Sequence, residues 1–182
     1  MKHYLMVDLG TGNSRVALVD SDGGILGLRT YTNVYHRDSA YEDGQYFLPE
    51  DWAALLLQGC RELCREHPDV QVNAVSAAGA RQSFVLLDGN GRAFLGLPNI
   101  DNRGRAYMAQ VPEHDEISRL SGKWATEDFG AAKLLGLRMQ HPEQYEAVES
   151  VLSLSEWIAW IFTGRKVMEY TQACERQLYD IG

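Results

Sequence analysis

Residues 7–20 read VDLGTGNSRVALVD: an apolar run that reaches Asp8, a turn built on Gly10, Thr11 and Gly12, and a second run in which apolar and polar side chains alternate. Alternation with a period of two marks a half-buried strand and not a helix. The stretch is therefore strand, tight loop, strand. Working outward, residues 4–9 and 14–20 are expected as the two strands. Ser21, Asp22, Gly23 and Gly24 form a turn, and ILGLRTYT follows as a third strand. Three consecutive antiparallel strands open the chain.

A similar pattern recurs at residues 84–96, FVLLDGNGRAFLG, beside residues 16–28, VALVDSDGGILGL. Two ordinary hairpins are the preferred reading over a duplication. Between them lies a polar loop, NVYHRDSAYEDGQYFLPE, and then a helix from Pro49 to His67 with Trp52, Leu56, Cys60, Leu63 and Cys64 at three-and-four spacing. That stripe reads as core packing. A strand over 72–78 precedes the second hairpin, which makes the class α/β with a mixed sheet. From Asn102 onward the pattern turns helical. Pro142 and Glu143 suit a first helical turn, and Ser153 with Glu156 reads as a capping box for an apolar helix ending at Gly164. Trp157, Ile158, Trp160, Ile161 and Phe162 on that helix are expected to pack inside the protein.

Composition narrows the function classes. The chain has 182 residues, 45% of them hydrophobic, enough for one substantial core. A net charge of −8 with scattered lysines and arginines offers no basic stripe, which argues against nucleic acid as a partner. No apolar run approaches spanning length, and the N-terminus meets Asp8 before a signal core could form, so a cytoplasmic protein without membrane contact is expected. Cys60, Cys64 and Cys174 show neither a CxxC pair nor a nearby histidine partner, and they read as reduced thiols.

The loop DLGTGNSR excludes two phosphate-binding motifs by its context. A dinucleotide fingerprint needs a third glycine and a following helix, and a Walker-type loop needs Gly-Lys-Ser/Thr before a helix; here a strand follows. Two readings stay open. One is a bare hairpin turn. The other is a phosphate-binding hairpin in which Gly10 and Gly12 bring backbone N–H groups to an anion, Thr11, Asn13 and Ser14 add short donors, Asp8 holds magnesium or its water, and Arg15 offsets phosphate charge.

These residues resemble the opening of the actin and sugar-kinase superfamily, and of the FGGY carbohydrate kinases in particular. VDLGTGNSRVALVDSDGGIL is similar to that family's first phosphate hairpin, and VSAAGARQSFVLLDGNGRAF to the strand, sugar-contacting turn and hairpin after it. PNIDNRG stands where members carry a Trp-x-Asp-x-Arg segment. LSLSEWIAWIFTGR and YTQACERQLYDIG resemble a helix and a small-residue strand region late in the first domain. The resemblance implies a ribonuclease H-like (actin-like ATPase) fold with a helical C-terminal part, ATP and Mg2+ as cofactors, and a small sugar or polyol as substrate. It places Asp8, Gly10, Thr11, Gly12, Asn13 and Arg15 near magnesium and the ATP phosphates, and Arg81, Gln82, Asp101 and Arg103 at the sugar.

Read without the family, Arg81 and Gln82 are solvated turn residues, and Asp101 with Arg103 is a local ion pair. The missing tryptophan in PNIDNRG departs from the xylulokinase-like pattern and is similar to the Asn-x-Asp-x-Arg of autoinducer-2 kinases, while Asp128 stands where glycerol kinases place a tyrosine. The family's catalytic aspartate, in a Gly-Asp-Gln-like stretch, has no match in this sequence, and Asp180 reads as a structural strand-end acid; the catalytic residue is therefore unknown. Residues 1–182 are expected to be an incomplete N-terminal domain without the second, ATP-side domain, inactive alone and prone to form a homodimer through exposed apolar surface. A non-catalytic sugar-binding module derived from half a kinase is the alternative.

Overall fold

The computed structural model of the protein describes residues 1–111 and 114–181. Strand β1, His3–Leu9, buries Leu5, Val7 and Leu9 on one face, and β2, Asn13–Asp20, buries Ser14, Val16 and Leu18 on the same face. Their antiparallel register sets Asp8 opposite Arg15 and Leu9 opposite Ser14. Strand β3, Ile25–Thr32, pairs antiparallel with β2. The three-strand opening expected from the alternation is thus present.

Helix α1, Pro49–Glu66, begins with proline in its first turn and Glu50 and Asp51 beside the positive end of the helix dipole. Trp52, Leu56, Cys60 and Leu63 face the sheet, whereas Cys64 is exposed. Burial pushes the Cys60 thiol up to about 11, as an inert core cysteine requires. Strand β6, Val72–Gly79, then pairs parallel with β1, because the α1 crossover returns the chain to the same end of the sheet. The sheet order is β3-β2-β1-β6. It is a mixed sheet in an α/β fold.

A second sheet, ordered β8-β7-β9, combines the hairpin of β7, Phe84–Leu87, and β8, Ala93–Leu97, with β9, Ser150–Ser153. The helical part supplies a 3₁₀ turn at Arg105–Gln110, α2 at His114–Ser121, α3 at Gly130–Gln140 and α4 at Pro142–Glu146. Helix α5, Leu154–Thr163, starts directly from β9 with the capping box of Ser153 and Glu156 in place and stops at Gly164, whose φ is 66°. Trp157 and Ile158 are buried in the main core beside Leu5, Trp52 and Leu63, with Trp160, Ile161 and Phe162 packed partly buried around them.

Three features differ from the sequence reading. The polar loop contains a short hairpin, β4, His36–Asp38, with β5, Gly44–Tyr46; β9 interrupts the helical region; and residues 170–175 form helix α6, Tyr170–Glu175, where a strand was expected. Glu169 caps α6 by accepting from the backbone N–H groups of Thr171 and Gln172, which favours a helix start over an extended chain. Asp180 accordingly lies in irregular chain after α6, not at a strand end. Among the described residues no helix is long and apolar enough to cross a membrane. On the sheet face away from α1, Met6 and Leu28 flank Ala17 in one register row and are exposed.

Glu156 does more than cap α5. Its Oε2 accepts from the backbone N–H of Ser153 at 2.6 Å and from Arg176 Nη1 at 2.8 Å, while Oε1 accepts from the backbone N–H of Glu169 at 2.7 Å. Both side chains of the ion pair are almost fully buried, so removing one partner strands a charge away from water. Glu156→Ala is expected to lower the unfolding free energy by about 3–5 kcal/mol in guanidinium titrations. A loss below about 1 kcal/mol would mean that the pair carries no more than an exposed one.

Candidate functional site

The C-terminal ends of the parallel strands β1 and β6 lie side by side, with the backbone N–H of Ala80 donating to the carbonyl of Leu9 at 2.8 Å. In open α/β sheets that end is where ligands bind. The loop after β1 is Gly10 to Gly12; the turn after β6 carries Arg81 and Gln82. Both candidate segments therefore leave the sheet together.

The glycine loop is held from one side. Asn33 Nδ2 donates to the carbonyls of Gly10 at 2.7 Å and Thr11 at 3.2 Å, its backbone N–H donates to the carbonyl of Gly12, and Tyr35 Oη donates to the Thr11 carbonyl at 2.5 Å. With these carbonyls fixed, the N–H groups of Thr11 and Gly12 remain untaken by any hydrogen bond among the described residues. A Cβ built on Gly12 would meet nothing within 4 Å, so that side of the loop is open and unscreened. This geometry suits an oxyanion approached by backbone N–H groups. Ser14, expected at the rim, is instead buried and donates to Asn33 Oδ1 at 2.6 Å.

Below the loop, Tyr35 sits edge-on to Phe47 and Trp52, which stack at 4.0 Å between ring centroids. The loop thus rests on the core through one phenol. Asp8 and Arg15, half-exposed, form an ion pair at 3.2 Å across β1 and β2. Among the described residues no cluster of three or more His, Cys, Asp or Glu side chains is arranged around a metal. A single carboxylate beside a glycine loop with open N–H groups is a donor set that would fit magnesium, which commonly takes one or two carboxylates plus the phosphates of its nucleotide.

The second segment is tied to the first. Asn99 Nδ2 donates to Thr11 Oγ1 at 3.0 Å, and the Asn99 backbone N–H donates to Ser83 Oγ at 2.9 Å. Arg81 is exposed and makes no ion pair among the described residues. Gln82 adopts φ of 60°, a left-handed conformation uncommon outside glycine. Its carbonyl accepts from Lys133 Nζ at 2.9 Å, and the same ammonium donates to the carbonyl of Pro98 at 2.7 Å.

Asp101 and Arg103 lie inside the protein, at 0% and 1% exposure. Asp101 Oδ2 accepts from Arg103 Nε at 2.8 Å and Oδ1 from the backbone N–H of Gln45, while Arg103 Nη2 donates to the carbonyl of Gln45 and the guanidinium lies over Tyr41. Burial pushes the Asp101 carboxyl up, against the pull of Arg103. The same burial pushes the Tyr41 phenol up to about 12. The hydrogen-bonding capacity of the pair is directed inward, toward the frame of the 98–103 segment. Asp128 accepts from Thr126 Oγ1 and contributes negative charge near Lys133.

The sequence model for the N-terminal domain of the FGGY family of carbohydrate kinases matches residues 3–182. The chain belongs to this family. A protein of Bacillus subtilis (strain 168) named as a sugar kinase, YoaC, is 38% identical over 99% of the chain, and an autoinducer-2 kinase of Salmonella choleraesuis is 27% identical over 98%. The chain spans 37% and 35% of the length of these relatives. Among solved structures, a xyloylose kinase from Brucella ovis superposes with a TM-score of 0.88 at 18% identity, and the xylulose kinase of Rhodospirillum rubrum with 0.83 at 19%. Each covers 99% of the chain, which covers 37% and 38% of theirs. The FGGY fold of this chain is therefore the ribonuclease H-like, actin-like ATPase fold.

Within this FGGY domain the sequence reading did not single out Asn33, Tyr35, Asn99 or Lys133. Asn33, Tyr35 and Asn99 act on backbone or side chains remote in sequence, and no local pattern marks them. Lys133 stands in GAAKLLGLRMQ, where a lysine reads as a solvated helix residue, yet it is fully buried.

Burial holds the Lys133 ammonium down at about 8, while Asp101 and Asp128 oppose the shift and Arg103 adds to it. The unfolded value is near 10.5, so between about 8 and 10.5 the unfolded chain binds the extra proton. The Lys133 contribution to stability should therefore rise with pH through that window and be lowest below about 8. Denaturant titrations of wild type and Lys133→Met across pH 7–10 would show wild type gaining on the variant as pH rises. A constant difference would contradict the depressed value.

Proposed function

We propose that this chain supplies the sugar-binding face and the first phosphate loop of an ATP-dependent carbohydrate kinase, which transfers the γ-phosphoryl group to a hydroxyl of a small sugar, ketose or polyol. The observation that carries the reading is the meeting, at the ends of β1 and β6, of a loop whose N–H groups and a turn whose arginine are without partners among the described residues, joined by Thr11 and Asn99. In-line phosphoryl transfer demands such adjacency, because positioning and charge stabilisation supply most of its catalysis.

In this reading the N–H groups of Thr11 and Gly12, with Asn13 at the rim, receive phosphate oxygens, and Gly10 shapes the turn. Asp8 holds magnesium or its water, and Arg15 offsets phosphate charge once drawn from Asp8. Bound as its magnesium complex, ATP supplies the phosphoryl group and a cation that neutralises charge on the phosphates. Arg81, Gln82 and Asn99 present donors and acceptors to sugar hydroxyls, as a polyol requires both. Asp101 and Arg103 serve the sugar from behind, by fixing the segment that carries Asn99. The relatives named as sugar, autoinducer-2 and xylulose kinases support a small hydroxylated substrate.

Calorimetric titration with D-xylulose tests the assignment. Saturable binding is expected, and Arg81→Ala should weaken it by roughly tenfold or more, the effect of losing a charged hydrogen bond. Equal affinity in the variant, or no binding across a panel of pentoses, ketoses and polyols, would overturn the sugar site.

A further inference from the structure

Lys133 links α3 to both the turn after β6 and the 98–101 segment. Its stem is enclosed in α3, which packs against the 3₁₀ turn and α4, and its Nζ reaches 2.9 Å from the Gln82 carbonyl and 2.7 Å from the Pro98 carbonyl. Gln82 is held at φ of 60°, an arrangement that costs free energy unless its surroundings fix it. Pro98 is the residue before Asn99, and its carbonyl also accepts from the backbone N–H of Asp101. One nitrogen therefore pins the turn that carries Arg81 and Gln82 to the segment that carries Asn99 and Asp101.

We propose that Lys133 is a positioning residue of the sugar site: its Nζ clamps the 80–83 turn to the 98–101 segment and sets the spacing between Arg81 and Asn99. The identity of the ligand rests on the proposed function; the clamp itself does not. A lysine that merely filled the core could be replaced by methionine of similar length with little effect on these loops. A clamp could not, because methionine takes the Lys133 donor from the Gln82 carbonyl and leaves the Pro98 carbonyl with the Asp101 N–H alone. Either protonation state of the amine retains at least two N–H groups, so the clamp depends on the donor and not on the charge.

Amide hydrogen exchange, read residue by residue without any sugar in wild type, Lys133→Met and Lys133→Arg, distinguishes the two roles. The clamp predicts that Lys133→Met speeds exchange at the Asn99 and Asp101 amides by about tenfold or more relative to Leu137 within α3. Lys133→Arg, which keeps donors, should fall between wild type and methionine. Should the methionine variant not fold, the arginine variant decides alone: faster exchange confined to 98–101 supports the clamp, and unchanged or uniformly faster exchange overturns it. Parallel exchange at all sites in the methionine variant would likewise overturn it. D-xylulose titration of the same proteins separates the ligand from the clamp. A locally loosened 98–101 segment with weakened D-xylulose binding supports both, whereas the same loosening in a protein that binds no D-xylulose upholds the clamp and counts against the sugar assignment.

Discussion

A carboxylate, a guanidinium and an ammonium share the interior behind the candidate site: Asp101, Arg103 and Lys133, each at most 1% exposed. Enclosing three charges costs several kcal/mol per ion unless partners surround them, so the segments that supply those partners are bound to one arrangement. Gln45 of β5 offers its N–H to Asp101 and its carbonyl to Arg103; Pro98 and Gln82 offer carbonyls to Lys133. Asp38 of β4 stands 3.5 Å from Arg103 Nη1. Gly136 on α3 passes so close to the Arg103 carbonyl that a Cβ there would lie 2.5 Å from its oxygen. The small hairpin, the 98–103 segment, α3 and the turn after β6 are thereby fixed to one another, beside the second apolar cluster of Phe84, Leu86, Leu95, Leu97 and Leu137.

The main core performs the complementary task for the glycine loop. Phe47, Trp52 and Tyr35 form an aromatic cluster over the first sheet, and the Tyr35 hydroxyl emerges from it onto the Thr11 carbonyl. Burial pushes that phenol up, which keeps it a neutral donor at ordinary pH. The loop's N–H face is left open because its carbonyl face is occupied from below. Anion sites made of backbone need this kind of preorganisation, since a loop free to turn would satisfy its own N–H groups. Thr11 and Asn99 then join the core-supported loop to the charge-supported segment, so two differently stabilised parts of the protein meet through these two side chains.

Much of this architecture is legible from local pattern. Alternation revealed β1 to β3, three-and-four spacing revealed α1, and a capping box with a terminal glycine bounded α5. The short strands were hidden for a physical reason: β4 and β5 have three residues each, too few for a period, and are held by Arg103 and the Asp101 carboxylate from more than fifty positions away. Strand β9 shares Ser153 with the cap of α5, so its residues read as the approach to a helix. In the site, Gly10, Thr11 and Gly12 were visible because the loop chemistry is sequential. Asn33, Asn99 and Lys133 were not, because their roles arise only when distant segments converge. The pairing of Asp101 with Arg103 was legible as a local ion pair, but its depth was not.

The central claim is that a phosphate loop and a sugar turn meet at the ends of β1 and β6. Backbone NMR of the 182-residue chain, titrated first with magnesium ATP and then with D-xylulose, tests it most directly. The account predicts two adjoining sets of shifted amides: Thr11, Gly12 and Asn13 with the nucleotide, and Arg81, Gln82 and Asn99 with the sugar. Shifts centred elsewhere on the protein, or nucleotide shifts that bypass the glycine loop, would contradict it.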